Sequence, residues 1–238
     1  MIQLFSYKLI TINRSIFATY RFIHNSVIFN EKYRLIHIQK RDINMKFKSL
    51  ALGLAFASAA NLSMAKPVAY QIDPTHTATV FNWNHFGFST PSANFSDIQG
   101  TINVDNAKPE KSSVNVTIPL ASLNTNVKAL DEHLKKADFF DAEKYPNITF
   151  KSTKVETTDK KNFKITGNLT IKDVTKPVVL DAVLNQQAVH PMTKLETIGF
   201  NATTSFDRSA FGVGAYVPNV GDKITVNITT EASVPAKK

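Results

Sequence analysis

The sequence of 238 residues contains no cysteine. This absence excludes a disulfide framework, a thiolate metal site and a thiol nucleophile, although it does not fix the compartment of the protein. The sequence also contains no Gly-x-Ser-x-Gly elbow, no phosphate-binding Walker loop and no dinucleotide-binding fingerprint. Nothing in it therefore predicts nucleotide-dependent chemistry or a serine hydrolase.

Histidine is scarce beyond residue 65, where only four occur. They are His76, His85, His133 and His190. None has the spacing of a helical metal-ligand pair, so we predict no metal site. His133 follows Asp131 and Glu132, but consecutive residues of a helix point in different directions, which favours a solvated face over a catalytic group. His85 alternates with Phe81 and is predicted to point inward, where a hydrogen-bonded core histidine is more common than a ligand.

The formal net charge of +9 suggests a nucleic-acid partner, but the distribution of the charge argues against one. Residues 1–44 contain seven basic and two acidic side chains, and Lys46 and Lys48 add two positive charges. Residues 66–238 contain 19 basic and 17 acidic side chains and are almost balanced. No run in that region resembles a phosphate-binding stripe, so we expect no nucleic-acid partner.

The segment that begins at Met45 has the three parts of a secretory signal peptide. A positive start at residues 46–48 precedes a small, apolar run at residues 50–60 and the cleavage sequence SMA. We predict a signal peptide over residues 45–65 that is cleaved after Ala65, in preference to a buried core helix. The apolar run is too short to span a bilayer. The mature chain is therefore expected in the periplasm, without stable membrane insertion.

Residues 1–44 show no persistent period of 2 or 3.6, and a signal peptide normally begins a chain. We therefore predict that residues 1–44 are an upstream extension wrongly read as coding, disordered or non-native, and that Met45 is the true start. The rival interpretation is a basic organelle-targeting leader.

Residues 66–238 are predicted to form one domain, because no glycine-rich linker or fixed-period repeat divides them. Most of this region alternates polar and apolar side chains, the pattern of strands with one buried face. The strand-like runs are residues 78–85, 98–104, 112–120, 147–153, 162–172, 176–184, 197–206 and 223–232. About eight such strands at short spacing predict an all-β sandwich or an up-and-down antiparallel barrel.

One stretch departs from this alternation. Val127, Leu130 and Leu134 fall at helical spacing, and Pro146 disfavours helix at the residue before it. We predict a short helical excursion around residues 126–144, immediately before a strand.

Phenylalanine is abundant, with eleven of the seventeen phenylalanines beyond residue 65. They could fill the core completely. Alternatively, an eight-stranded barrel leaves room for one slender ligand, and ligand pockets are mostly apolar with a few polar groups. The residues alone leave a filled core and a site for a long hydrocarbon equally open.

Four segments occur in an order that resembles the YceI family of small exported proteins. They are YQIDPTHTATVFNWNHFGFSTPSANFSDIQGTI, HLKKADFFDAEKYPNITF, GNLTIKDVTKPVVL and SFDRSAFGV. The resemblance covers residues 68–232. It implies an eight-stranded, lipocalin-like antiparallel β-barrel in the periplasm, often a homodimer, that binds a polyisoprenoid or another long-chain amphiphile such as an isoprenoid quinone or a prenyl phosphate. It implies no established catalysis and no cofactor other than the bound lipid.

The resemblance carries over to particular positions. They are Asp131, His133, Leu134, Phe139, Phe140, Tyr145, Phe150, Arg208 and Phe211. Ala210 stands where the family more commonly has Asp, which removes an acidic partner for Arg208. We expect Arg208 to contact the lipid head group, because guanidinium binds phosphate bidentately. An ion pair at the barrel rim with Asp131, Asp138 or Asp207 is the alternative.

The predicted lipid-binding residues are apolar or aromatic side chains spread over the whole domain. They are Phe81, Trp83, His85, Phe88, Leu130, Leu134, Phe139, Phe140, Phe150, Leu169, Phe200, Phe206 and Phe211. Because neighbours on a helix diverge by about 100°, we expect one of Phe139 and Phe140 to be fully buried core and the other to line or cover the cavity entrance.

Three functions remain open from the sequence. The first is a periplasmic carrier or reservoir for an isoprenoid lipid, held in an apolar interior without catalysis. The second is a stress or interaction protein with a filled core and no ligand. The third is an enzyme that acts on a lipid or quinone and uses His85 or His133 as base.

Overall fold

The computed structural model describes residues 66–236. The predicted signal peptide at residues 45–65 and the predicted extension at residues 1–44 lie outside the described residues. The strands are β1 (Val68–Ile72), β2 (Ala78–Asn82), β3 (Ser92–Phe95), β4 (Gln99–Val104), β5 (Ser113–Pro119), β6 (Asn147–Thr157), β7 (Asn162–Ile171), β8 (Val174–Val189), β9 (Glu196–Asp207) and β10 (Lys223–Ser233). The helices in this region are α1 (Lys128–Leu134) and the 3₁₀ turns Pro109–Lys111, Leu120–Ser122 and Arg208–Phe211.

Eight of these strands close into an antiparallel barrel, which confirms the predicted fold class. The order around the barrel is β1-β4-β5-β6-β7-β8-β9-β10, and β10 pairs back onto β1. All pairings are antiparallel, and a register shift interrupts β6–β7 near Ser152 and β8–β9 near Leu184. Closure leaves no long open edge in the ring.

The two remaining strands extend the barrel at one end. Strand β10 pairs with β1 through Ala232 and Ser233, and with β2 through residues 225–229. Thus β1 and β2 pair with the same edge of β10, one after the other, and residues 73–77 separate them. Strand β3 pairs with β2, while β4 pairs with β1. The closed ring of the barrel therefore contains eight strands, and β2 and β3 are the other two of the ten.

The predicted strand set was wrong in one respect, because β1 and β3 were not predicted. Val68, Tyr70 and Ile72 do alternate in burial with their neighbours, but each of these strands has only four or five residues. Elsewhere alternation places apolar side chains inside. In β7, for example, Ile165, Leu169 and Ile171 are buried while Asn162, Lys164 and Asn168 are exposed.

The helical excursion is present but shorter than predicted. Helix α1 ends at Leu134, and residues 135–144 form turns. The amide of Phe140 donates to the Leu134 carbonyl at 3.0 Å, and Ala142 N donates to Lys135 O at 2.9 Å. These bonds reach further back than the four-residue step of an α-helix, so the chain curls instead of continuing as a helix.

The end of the barrel far from α1 is closed by a compact core. Tyr70, Ile198 and Ala232 are at most 1% exposed there. The Tyr70 hydroxyl donates to Glu196 Oε1 at 2.5 Å and accepts from Gln187 Nε2 at 3.0 Å. This arrangement seals the floor of the barrel. Within residues 66–236, no helix combines the length and the apolar character needed to cross a bilayer.

Closure of this floor should make stability depend on pH in the alkaline range. Burial, together with the hydrogen bond to Glu196, raises the pKa of Tyr70 to about 12 from an ordinary value of 10.0. The neutral phenol is therefore favoured in the folded state. Its contribution to the free energy of unfolding is complete below pH 10 and is lost as pH rises towards 12. Relative to Tyr70→Phe, the native protein should lose about 2–3 kcal/mol of unfolding free energy across that window.

Urea unfolding of both proteins between pH 9 and 12 measures this difference, because lysine titration affects both equally. Parallel stability curves for the two proteins would contradict the role of Tyr70.

Candidate functional site

The barrel encloses a cavity of about 710 Å³ between the sealed floor and the end that carries α1. This volume lies within the range of about 300–1,000 Å³ typical of small-molecule sites. The wall is built from inward-facing aliphatic and aromatic side chains of the strands, and from one face of α1. Exposed Phe86 and Tyr216 also line it, so the cavity reaches solvent between their two loops.

Most of the predicted site residues lie on this wall. They are Phe81, Trp83, His85, Leu130, Leu134, Phe139, Phe140, Phe150, Leu169, Phe200, Phe206 and Arg208. The strand residues in this set reach the cavity because inward side chains recur at every second position. Leu130, His133 and Leu134 reach it because residues three and four apart share one face of α1.

Two of the predicted site residues are not on the wall, which corrects the sequence interpretation. Phe88 follows Gly87 at the tip of a tight loop and is 92% exposed. Phe211 is 1% exposed and packs edge-on against Phe206, with ring centroids 5.2 Å apart. Both residues lie outside strands, where a period of two no longer fixes the direction of a side chain.

A chain of aromatic rings runs along one side of the cavity. Trp83 lies 5.8 Å from Phe81, Phe81 stacks on Phe95 at 5.3 Å, and Phe95 meets Phe140 edge-on at 6.1 Å. Phe95 was missing from the predicted set, and it is the last residue of β3, a strand that was not predicted. Phe95 reaches Phe81 because β3 pairs with β2, and the sequence does not predict this pairing.

Phe139 and Phe140 divide less sharply into a core residue and an entrance residue than expected. Each is 8% exposed, and both line the cavity. Phe139 packs against the rings of His133 and Tyr216 towards the opening, at 5.1 and 6.1 Å, whereas Phe140 packs against Phe95. The expectation relied on helical divergence, but the pair lies in the turn beyond α1.

Arg208 lies on the cavity wall, but its hydrogen bonds are to the protein's own backbone. Its guanidinium donates to the carbonyl oxygens of Val213, Ala215, Val220 and Gly221 at 2.5–2.9 Å. Four of its N–H groups are thus used, and burial lowers the pKa of the guanidinium below its ordinary value. Both expected roles, head-group contact and rim ion pair, give way to a clamp on the loop at residues 213–221.

In the described structure, Asp131 and Asp138, two of the acidic partners expected for Arg208, contact other residues. Asp131 accepts hydrogen bonds from Thr125 N and Oγ1, both at 2.7 Å, and the side-chain bond lowers the pKa of Asp131. Asp138 lies 3.1 Å from His133 Nε2. Asp222, which the sequence did not single out, instead accepts from Ser209 N and Oγ beside the clamp.

Polar groups on the wall are few. His85, Ser89, His133 and Tyr216 lie towards the opening. Deeper in the cavity, the hydroxyl of Thr77 is bonded to that of Thr230 at 2.9 Å. The described residues that line the cavity include no carboxylate and no lysine, and the described residues contain no group of three or more metal-ligating side chains. The arrangement therefore suits an apolar chain with a polar end at the mouth.

Comparison with known proteins places this architecture in context. The sequence profile of the YceI-like domain matches residues 70–232. A UPF0312 protein of Pseudomonas putida is 39% identical over 169 residues, which cover 70% of this chain and 86% of the relative.

Among solved structures, a YceI protein of Campylobacter jejuni is 37% identical, with a TM-score of 0.58 over 65% of this chain and 90% of that chain. A polyisoprenoid-binding domain from Saccharophagus degradans is similar in fold at 12% identity, with a TM-score of 0.54 over 71% of this chain and 99% of that one.

Proposed function

This chain belongs to the YceI-like domain family, and we propose that it binds a long-chain isoprenoid lipid in its barrel. The observation that carries the proposal is the apolar cavity of about 710 Å³, sealed at the Tyr70 end and open beside Tyr216. Such a cavity favours a ligand over the alternative of a filled core. The polyisoprenoid-binding domain from Saccharophagus degradans, which shares the fold, adds support for this ligand class.

We further propose that the lipid has an uncharged head, such as a quinone ring or an alcohol. A prenyl phosphate at the mouth would lack a permanently charged partner, because the described wall residues towards the opening are His85, Ser89, His133 and Tyr216. Arg208 is the permanently charged side chain among the described wall residues, and four of its five N–H groups are already bonded to carbonyl oxygens. His133 and Tyr216 at the opening can instead bond a neutral oxygen.

The proposed role is that of a carrier or reservoir in the periplasm, after cleavage of the signal peptide. The protein would bind and release its lipid unchanged, without stable insertion into a membrane. A catalytic role for His85 or His133 is less well supported, since the cavity is almost entirely apolar around the site that the ligand chain would occupy.

Titration of intrinsic fluorescence tests the proposed head-group preference. Trp83 is the single tryptophan of the chain and lies on the cavity wall, so its emission reports occupancy directly. A prenyl alcohol and the prenyl phosphate of equal chain length should both be titrated. We expect the alcohol to bind at least tenfold more tightly. Tighter binding of the phosphate would contradict an uncharged head, and no binding of either would contradict the lipid-binding function.

A further inference from the structure

The two loops that frame the cavity opening form an exposed, uncharged rim, which we define as residues 84–89 and 215–220. Phe88 is 92% exposed, Tyr216 59% and Phe86 52%, and Val217 beside them is also exposed. The loops are joined, because Phe86 N donates to Asn219 O at 2.9 Å and Gly221 N donates to Asn84 O at 2.8 Å. The exposed rings therefore belong to one continuous surface.

The backbone holds the rim rings outward at a conformational cost. Phe86 and Tyr216 have φ angles of 55° and 65°, in the left-handed region that bulky residues rarely adopt. Gly87, between the two rim phenylalanines, has φ 77° and can adopt this conformation freely. Among the non-glycine residues with positive φ in the described chain, Phe86 and Tyr216 are the aromatic ones, and both belong to the rim.

Charge is absent from the sequence around the rim. Residues 74–96 and residues 209–221 contain no Asp, Glu, Lys or Arg. The other turns at this end of the barrel differ, since residues 135–144 and 172–173 carry acidic and basic side chains, so the uncharged surface is confined to the rim itself. A surface without charge loses no ionic hydration when it leaves water for an apolar medium.

We propose that this rim docks reversibly on the surface of a lipid bilayer. Phe86 and Tyr216 line the cavity and also face solvent, so a chain that leaves a bilayer beneath them enters the barrel without crossing water. Aromatic side chains are well suited to the membrane interface, and Tyr adds a polar tip. A second copy of the chain seated on the rim would cover the opening through which ligand passes, so a bilayer is the better occupant.

The inference differs from the proposed function in what it requires. Docking depends above all on Phe88, which lies outside the cavity, whereas lipid binding depends on the wall. Vesicle binding and cavity occupancy can therefore be measured separately on the same protein.

Co-sedimentation of the purified protein with phosphatidylcholine vesicles tests the docking. We expect Phe88→Ser to weaken vesicle binding about tenfold, because one fully exposed aromatic ring no longer enters the interface. Met192→Ser is the matched control, since Met192 is 85% exposed in the loop between β8 and β9, at the far end of the barrel. That control should bind vesicles as the native protein does.

Fluorescence of Trp83 with a soluble prenyl alcohol supplies the second readout. Phe88→Ser should bind this probe with unchanged affinity, since Phe88 is not on the wall. Loss of vesicle binding without loss of probe binding supports docking. If the native protein binds no vesicles, or if Phe88→Ser and Met192→Ser weaken binding equally, docking is wrong. It is also wrong if Phe88→Ser only converts a dimer to a monomer, since the rim is then an interface between copies. Failure of the probe alone would overturn the proposed function and leave docking standing.

Discussion

Replacing Ala182 with phenylalanine is expected to weaken binding of a long prenyl chain about 200-fold while leaving a short one almost unaffected. Ala182 is 4% exposed, lines the cavity and lies directly opposite Ala202 across the β8–β9 pair. It lies deeper in the barrel than Val178, so a ring at this position fills the inner part of the cavity. Each methylene that can no longer be buried costs about 0.8 kcal/mol, and exclusion of about four methylenes gives the expected loss.

The neighbouring position provides the control for this substitution. Val183 points outward and is 37% exposed, so Val183→Phe introduces the same aromatic side chain without entering the cavity. Binding of both chain lengths to Val183→Phe should match the native protein. Titration of Trp83 fluorescence with prenyl alcohols of increasing length measures the effect. If Ala182→Phe weakens all lengths equally, or none, the chain does not occupy the inner cavity.

Replacing Arg208 with glutamine is expected to lower the unfolding free energy by about 3–4 kcal/mol. The substitution removes a buried cation and leaves several loop carbonyls without donors. For a domain of this size the melting temperature should fall by about 10 °C. Arg208→Lys should be destabilised as well, because a single ammonium cannot reproduce the planar fork that meets four carbonyls. Thermal unfolding measures both effects.

The same variants separate a structural clamp from a head-group contact. The ratio of the affinities for prenyl alcohol and prenyl phosphate should stay constant when Arg208 is replaced. A selective loss of phosphate binding in Arg208→Gln, with retention in Arg208→Lys, would restore the head-group role.

The strands could be predicted from the sequence because alternation is a local signal. Burial of Ile165, Leu169 and Ile171 in β7 follows from the period of two. The number of strands left a sandwich and a barrel both open, and the closed barrel was implied by the family resemblance. The break between β1 and β2 was not predictable in this way. It depends on β10, which is about 150 residues further along the chain and pairs with both segments.

The prediction of the site was right for side chains that strands place on the cavity wall and wrong for side chains in loops. Phe81 and Phe200 reach the cavity by alternation, whereas Phe88 turns outward because Gly87 reverses the chain before it. Arg208 was misread for a related reason. Its carbonyl partners, at residues 213–221, come from a loop whose path no residue pattern in the sequence discloses.

The central claim, that the barrel holds an isoprenoid lipid, is tested most directly by the protein from its native host. Purification without detergent, extraction with organic solvent and mass spectrometry identify any bound molecule. The extract should contain an isoprenoid with an uncharged head, at about one molecule per chain. Extracts of Ala182→Phe should contain little of this lipid, and extracts of Val183→Phe should contain the native amount. An extract without lipid, together with no uptake of prenyl alcohols or quinones by the purified protein, would contradict the account.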